Sequence, residues 1–308
     1  MSLEPVKIRP WATVWRAETP TGVHFAKQNC ATQAYEAALL VELNALAPHH
    51  VVPLTAVDLD RGLLMTPDRG PVLGAATDDI DSWCRVAQAG ARLKREVAPY
   101  ADRLAAAGLT TLAPGDAVTY VEQLLAAFAT LPPGDVRGLP VPDRDRLHAH
   151  LPTVARWAEE VAASGLPTTL VHNDLHGNNV VDTDGELRFF DFADAMLMEP
   201  LAALLIPLDL LAFRLDARPD DARLWRVADA ALEVWSDLAD PADLRAALPA
   251  ALRLARLGRT ETWVRCTAPM DPGELEEWGN SAATSLAALL RDPPVGHLRG
   301  EPGLGATS

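Results

Sequence analysis

Three oxygen-bearing side chains, Asp174, Asn179 and Asp191, stand at the ends of a segment whose own folding would bring them together. Residues 171–194 read VHNDLHGNNVVDTDGELRFFDFAD, and the β-branched and aromatic runs at 179–181 and 187–190 flank the turn signal Asp182-Thr183-Asp184-Gly185. That pattern predicts a β-hairpin. Asp174 and Asn179 lie at or before its first strand and Asp191 ends its second, so closing the hairpin gathers hard oxygen donors. Such a cluster suits a hard cation and a polyanion that the cation holds.

The counter-charge to this cluster lies near the N-terminus. Alternation over 6–8, 13–18 and 23–28, with a turn at Thr19-Pro20-Thr21-Gly22, predicts three short strands. Val23, Phe25 and Lys27 share one face of the third, where a lone lysine among apolar neighbours would ordinarily snorkel to water. Residues 32–47 carry a helical stripe of Tyr35, Leu39, Leu40, Leu43 and Leu46. Glu36 lies about one turn into that helix, near the edge of the stripe. A glutamate turned inward there needs a partner, and Lys27 can supply it.

The remaining chain divides at one place. Strands at 51–59 and 63–65 meet at Asp60-Arg61-Gly62, after which Pro67, Gly70, Pro71 and Gly74 break the pattern. A boundary there separates residues 1–66, a small antiparallel sheet with one helix, from residues 67–308, a mainly helical unit carrying the hairpin. Helical periodicity covers 79–98, 117–130 and 143–164, then 201–215, 221–239, 242–267 and 272–291. Pro207 and Pro249 are expected kinks, and 296–308 a frayed tail. The class is α+β in two lobes.

Composition narrows the partners. A formal charge of −15 over 308 residues repels nucleic acid, which needs clustered Lys and Arg. Cys30, Cys84 and Cys266 are far apart and odd in number, so neither a disulfide framework nor a zinc site is expected. A reducing cytoplasm fits. No apolar export segment opens the chain, and the longest apolar stretch, 201–213, is interrupted by Pro207 and Asp209, so no membrane span is expected. His172 and His176 have the i, i+4 spacing of a zinc peptidase helix. However, Asn173 stands where the glutamate would be, and Gly177 disfavours the helix.

Four motifs together resemble the aminoglycoside phosphotransferase and choline-kinase-like family. HNDLHGNN at 172–179 is similar to its HxDxxxxN catalytic loop, and FFDFADA at 189–195 to its metal-binding motif. FAK at 25–27 and the helix glutamate Glu36 precede them in the family's order. The resemblance spans about residues 10 to 200 and implies a two-lobed protein-kinase-like fold with ATP (or GTP) and Mg2+ as cofactors. It implies Asp174 as the base that accepts or orients the acceptor's proton, and Asn179 and Asp191 as metal ligands. Lys27 would contact the α- and β-phosphates with Glu36 fixing it, and Ala26, Met65, Val181 and Phe190 would border the adenine. Phosphoryl transfer asks for such parts, because the enzyme chiefly positions reactants and neutralises charge.

The sequence departs from the family in two places. RPWATVW at 9–15 occupies the nucleotide loop without a glycine, and Pro200 is followed by Leu201, Ala202 and Ala203 where an acid is usual. Protein substrates are disfavoured. Asn173 replaces the arginine of protein kinases, and 191–200 leaves no room for a long activation segment. The acceptor is therefore expected to be a small hydroxylated molecule, amine-bearing given the acidic balance. Aminoglycosides, cyclic-peptide antibiotics and aminosugars fit, as do metabolites such as choline, fructosamines and sugars. A pseudokinase that binds nucleotide without chemistry is the reading from another class. Candidate acceptor contacts are Asp194, Glu199, Asp271 and Glu274, with Trp263 and Trp278 for cation–π contact. The plainer expectation for 271–277, DPGELEE, is a helix N-terminus with acids against the dipole.

Overall fold

Gly22, at φ 121°, closes a hairpin that few other residues would tolerate, and the first sheet grows outward from it. The computed structural model describes residues 2–74, 78–183 and 185–296. Strands β1 (Ser2–Arg9), β2 (Ala12–Thr19) and β3 (Gly22–Asn29) form an antiparallel meander. After helix α1 (Glu36–Leu46), β4 (Ala56–Asp58) and β5 (Leu63–Pro67) complete a sheet of order β1-β2-β3-β5-β4. α1 buries Leu39, Leu40 and Leu43 of the expected stripe together with Ala37, while Tyr35, just before the helix, and Leu46 are partly buried.

Several boundaries differ from expectation, beginning with the first strand, expected over 6–8 and extending over Ser2–Arg9. The helix expected from residue 32 begins at Glu36, because Ala31–Gln33 forms a separate 3-10 turn. The strand expected over 51–59 shrinks to β4, and Val51 instead bridges in parallel to Phe189 of the hairpin.

The second lobe is mainly helical. Helix α2 (Ile80–Val97) starts at Asp79, whose carboxylate accepts the Ser82 N–H. Then come α3 (Ala101–Ala106), α4 (Ala117–Ala129) and α5 (Val141–Ala162). Four short strands follow. β6 (Thr169–Val171) pairs with β9 (Met196–Met198), and between them lies the hairpin of β7 (Val180–Thr183) and β8 (Glu186–Phe189). Helices α6 (Leu205–Leu215), α7 (Ala222–Leu232), α8 (Pro241–Thr267), α9 (Pro272–Trp278) and α10 (Ser281–Ala287) complete the lobe. Pro207 and Pro249 lie inside α6 and α8.

α8 is the axis of this lobe. Leu244, Leu248, Ala250, Leu252 and Leu257 are all almost inaccessible, and with Arg253, Arg256 and Arg265 also buried the helix is enclosed around most of its circumference. Each leucine so buried contributes about 1.5–3 kcal/mol. The single helix expected over 272–291 is broken at Gly279, where a Cβ would lie 2.8 Å from Val136 Cγ2. Most of the expected tail, 297–308, lies outside the described residues. Among the described residues, no helix is long and apolar enough to cross a membrane.

Candidate active site

The strand period of two places Lys27 on the inner face of β3, and β5 pairs so that Lys27 stands opposite Leu64. Glu36, the first residue of α1, is fully buried and points back at it. Lys27 Nζ donates to Glu36 Oε2 at 2.6 Å and to Asp191 Oδ1 at 2.5 Å. Asn29 Nδ2 donates to the same Glu36 oxygen at 2.6 Å, and the Phe192 backbone N–H to Oε1 at 2.7 Å. A buried carboxylate is costly without partners, and here each oxygen has at least one. Burial opposes the charge on Lys27, but Asp191 and Glu36 outweigh it and hold the ammonium above its ordinary range. Burial likewise opposes ionisation of Asp191, and Lys27 overrides it, keeping the carboxyl below its usual value.

The hairpin is tied to the first lobe and to the segment after β5 by backbone hydrogen bonds. The Phe189 N–H donates to His50 O at 2.8 Å, the Val52 N–H to Phe189 O at 3.1 Å, and the Leu73 N–H to Val180 O at 2.8 Å. Gly74 and Gly177 pass so closely that a Cβ on Gly177 would lie 2.1 Å from Gly74 O. Between the lobes is a cavity of about 280 Å3 with apolar walls, including Phe25, Leu64, Val72, Val181 and Phe190. Lys27, Glu36 and Asp191 line it as well. An apolar cavity with a few charged side chains in its lining has the form of a nucleotide site.

Ala26 and Met65 are not in this lining. They are register partners on the opposite face of the sheet from Lys27, and Phe25 and Thr66 take their place. The misplacement is one of parity. Residues two apart on a strand share a face, so the neighbour of Lys27 inside the cleft is Phe25.

Two left-handed residues flank the hairpin, Asn173 at φ 59° in the loop before it and Asp191 at φ 64° just after it. Asp174 Oδ2 lies 3.4 Å from His176 Nε2. Burial raises the Asp174 pKa, but the His176 hydrogen bond and the charge of Arg259 carry it well below the usual carboxylate range. Asn179 Nδ2 donates to Asp174 O at 2.9 Å, which turns its Oδ1 away from the loop. His172 Nε2 donates to Phe190 O at 3.0 Å, so this histidine braces the two motifs against each other.

The donor set fits a hard divalent cation. Lys27 pairs with Glu36 and Asp191, and Arg259 with Asp174 and Asp194, so carboxylate oxygens outnumber the fixed cations on both sides of the loop. Asn179 and Asp191 are the residues available to hold such an ion.

Residues named for the acceptor scatter. Asp194 is half-buried and engaged by Gln33 Nε2 at 2.9 Å and Arg259 Nη1 at 3.0 Å, and desolvation pushes its pKa up to about 6. Glu199 is also buried: it caps the 3-10 turn Pro200–Leu204 by accepting the Leu201 N–H at 3.0 Å and faces a separate small cavity beside Met198 and Leu257. Asp271 and Glu274 form a capping box at the start of α9, with reciprocal bonds of 2.9 and 3.0 Å. Trp263 and Trp278 do meet, with ring centroids 5.8 Å apart and planes nearly parallel. Trp11, from the glycine-free turn, packs edge-on against both at 5.7 and 5.0 Å.

Reasoning from sequence missed Arg259 and Asn29. Asn29 shares the face of Lys27 two residues on, a signal the strand pattern did carry. Arg259 sits on α8, remote in sequence, and no local pattern marks it.

Residues 26–238 match the family described as the phosphotransferase enzyme family, APH, which is more than half of the chain. The chain belongs to that family and is a small-molecule phosphotransferase with its protein-kinase-like fold. No curated protein matches the sequence. Among solved structures, an ethanolamine kinase of Plasmodium vivax superposes with a TM-score of 0.66 at 12% identity, covering 94% of this chain and 82% of that one. The macrolide 2'-phosphotransferase MphH of Brachybacterium faecium gives 0.55 at 18% identity, with 92% and 91% covered. The amicoumacin kinase hAmiN, in complex with AMP-PNP, Ca2+ and Ami, gives 0.54 at 14% identity, with 95% and 89% covered. At these identities the likeness is one of fold.

Proposed function

We propose that this protein transfers the γ-phosphoryl group of ATP (or GTP) to a hydroxyl of a small, amine-bearing acceptor. Lys27, held by Glu36, takes the α- and β-phosphates, and the base slides between the apolar walls at Val181 and Phe190. Asp174 receives or orients the acceptor's hydroxyl proton. Asn179 and Asp191 are the ligands for Mg2+, which when bound would neutralise charge on the phosphates. The observation that carries this reading is the meeting of Lys27, Glu36 and Asp191 at 2.5–2.6 Å beside an apolar slot, from two lobes and across a separation of 164 residues. The nucleotide analogue in the amicoumacin kinase structure is consistent with that use of the cleft.

For the acceptor, these acids lend no support: Asp194, Asp271 and Glu274 are engaged within the protein, and Glu199 faces a separate small cavity. Support for an amine comes from the charge of −15 and from the indoles of Trp263 and Trp278, which would face a cation once Trp11 withdraws. Antibiotics and aminosugars bearing amines form the first class. An amino alcohol is the second, favoured by the likeness in fold to the ethanolamine kinase. A screen with Mg-ATP against aminoglycosides, macrolides, cyclic peptides, aminosugars, choline and ethanolamine, read by product mass, separates them. Addition of one phosphoryl group to a single class identifies it, and nucleotide binding without transfer to any would favour the pseudokinase.

A further inference from the structure

We infer that Arg259 is a positioning residue for the reaction, holding the Asn173–Asp174 backbone and the Asp174 carboxylate from α8. The inference rests on the kinase reading of the cleft. A left-handed conformation at Asn173 costs about 1–3 kcal/mol and persists only where surrounding contacts over-determine it. Those contacts come from two directions. Arg259 Nη1 donates to Asn173 O at 2.8 Å, and Asn173 Nδ2 donates to Asp194 O at 3.2 Å. The same guanidinium nitrogen lies 3.0 Å from Asp194 Oδ2 and 3.4 Å from Asp174 Oδ1. One side chain therefore joins the strained carbonyl, the reactive carboxylate and a second acid that Gln33 anchors from the other lobe at 2.9 Å.

The helix is shaped to bring it there. A Cβ on Gly258 would lie 2.8 Å from Met198 Sδ and 3.0 Å from Asn173 Oδ1, so only glycine lets α8 approach the loop so closely. A glycine inside a helix costs about 1 kcal/mol relative to alanine, so the approach is made against the preference of the helix. The turn after Pro200 offers no alternative anchor, since Leu201, Ala202 and Ala203 are buried and lack polar side chains. Arg259 does not line the apolar cleft, so its loss should act on transfer and leave nucleotide affinity unchanged. Displacement of a reacting group by about 1 Å costs on the order of 10²-fold in rate. All three contacts come from one nitrogen, so a lysine, whose ammonium also carries donors but on a shorter and more flexible stem, should restore part of them.

The test compares the full-length protein with Arg259→Met and Arg259→Lys in two measurements. The first is phosphate release from Mg-ATP with water as the acceptor. Arg259→Met should lower kcat by about 10²-fold with KM for ATP within about twofold, and Arg259→Lys should recover about tenfold of the loss. Parallel changes in kcat and KM, or no advantage of lysine over methionine, would overturn the proposal. The second, amide hydrogen exchange over residues 172–180, needs no activity. Exchange there should quicken in Arg259→Met while α2 stays unchanged, and an unaltered loop would overturn the proposal whatever the kinetics. Should Arg259→Met not fold, Asp194→Asn, which removes the carboxylate that holds the guanidinium, must give the same kcat split and loop exchange, or the proposal fails. If the wild type releases no phosphate to water, transfer to the acceptor panel decides the kinase reading, and the exchange result still decides the role of Arg259 in holding the loop.

Discussion

Replacing Glu36 by glutamine changes one oxygen to an amide nitrogen without altering shape, and the consequences can be worked from the contacts. The carboxylate accepts three hydrogen bonds, from Lys27 Nζ, Asn29 Nδ2 and the Phe192 N–H. Glutamine keeps one acceptor. If its oxygen serves Lys27 and Asn29, its NH2 group faces the Phe192 N–H; if turned over, it faces an ammonium and an amide. Either arrangement leaves at least one buried donor unsatisfied, at about 1–3 kcal/mol, and weakens a charged hydrogen bond to Lys27 by a similar amount. Asp191 still holds the ammonium, so the loss falls short of the 3–5 kcal/mol typical of a broken buried pair. A destabilisation of about 2–4 kcal/mol follows. Lys27 should then lean on Asp191 alone and lose its aim at the phosphates, lowering kcat/KM for Mg-ATP by about 10- to 100-fold. Denaturant unfolding and steady-state kinetics on the same preparation measure both. A variant within about 0.5 kcal/mol of wild type, with unchanged kcat/KM, would refute the reasoning that the buried pair positions Lys27.

Other consequences follow from single positions. Gly177→Ala should cost about 1–3 kcal/mol by overpacking against Gly74 O, measurable by denaturant unfolding, and should loosen the junction between the catalytic loop and the segment at 72–74. Burial raises the Glu199 pKa from an ordinary 4.5 to about 8, so between those values the folded state binds more protons than the unfolded state. Stability should therefore decline as pH rises from about 4.5 to 8, and Glu199→Gln should flatten that decline; a pH series of unfolding curves that runs parallel for the two proteins would contradict it.

The parts of the site that were legible in the sequence were those set by local rules. The hairpin followed from Asp-Thr-Asp-Gly between β-branched runs, and the pairing of Lys27 with Glu36 from the need of an inward glutamate for a cation. DPGE was legible as a cap, and the structure uses Asp271 and Glu274 in a reciprocal capping box rather than in a cleft. Parity was readable but misapplied: the same alternation that turns Lys27 inward selects Phe25 and Thr66 over Ala26 and Met65. Longer-range features left no mark. The pairing of Thr169–Val171 with Met196–Met198 depends on how the chain returns after the hairpin. The reach of Arg259 to Asp174 across 85 residues depends on where α8 crosses the loop. Glu199 deceived because an acid near a catalytic motif suggests a ligand, whereas here it satisfies the start of a buried turn.

The turn at Trp11 joins the two halves of the account. Without glycine it cannot bring its backbone as freely to phosphates, and its indole instead contacts Trp263 and Trp278 of the second lobe.

The central claim is that Asp174 serves transfer to an acceptor hydroxyl while Lys27, Glu36 and Asp191 serve the nucleotide. The most direct test measures phosphoryl transfer from Mg-ATP to the acceptor panel by wild type and Asp174→Asn, with ATP affinity determined for both. The account predicts transfer by the wild type, a fall of about 10²-fold or more in Asp174→Asn, and ATP affinity preserved. Equal rates of transfer in the two proteins, or loss of ATP binding in the variant, would contradict it.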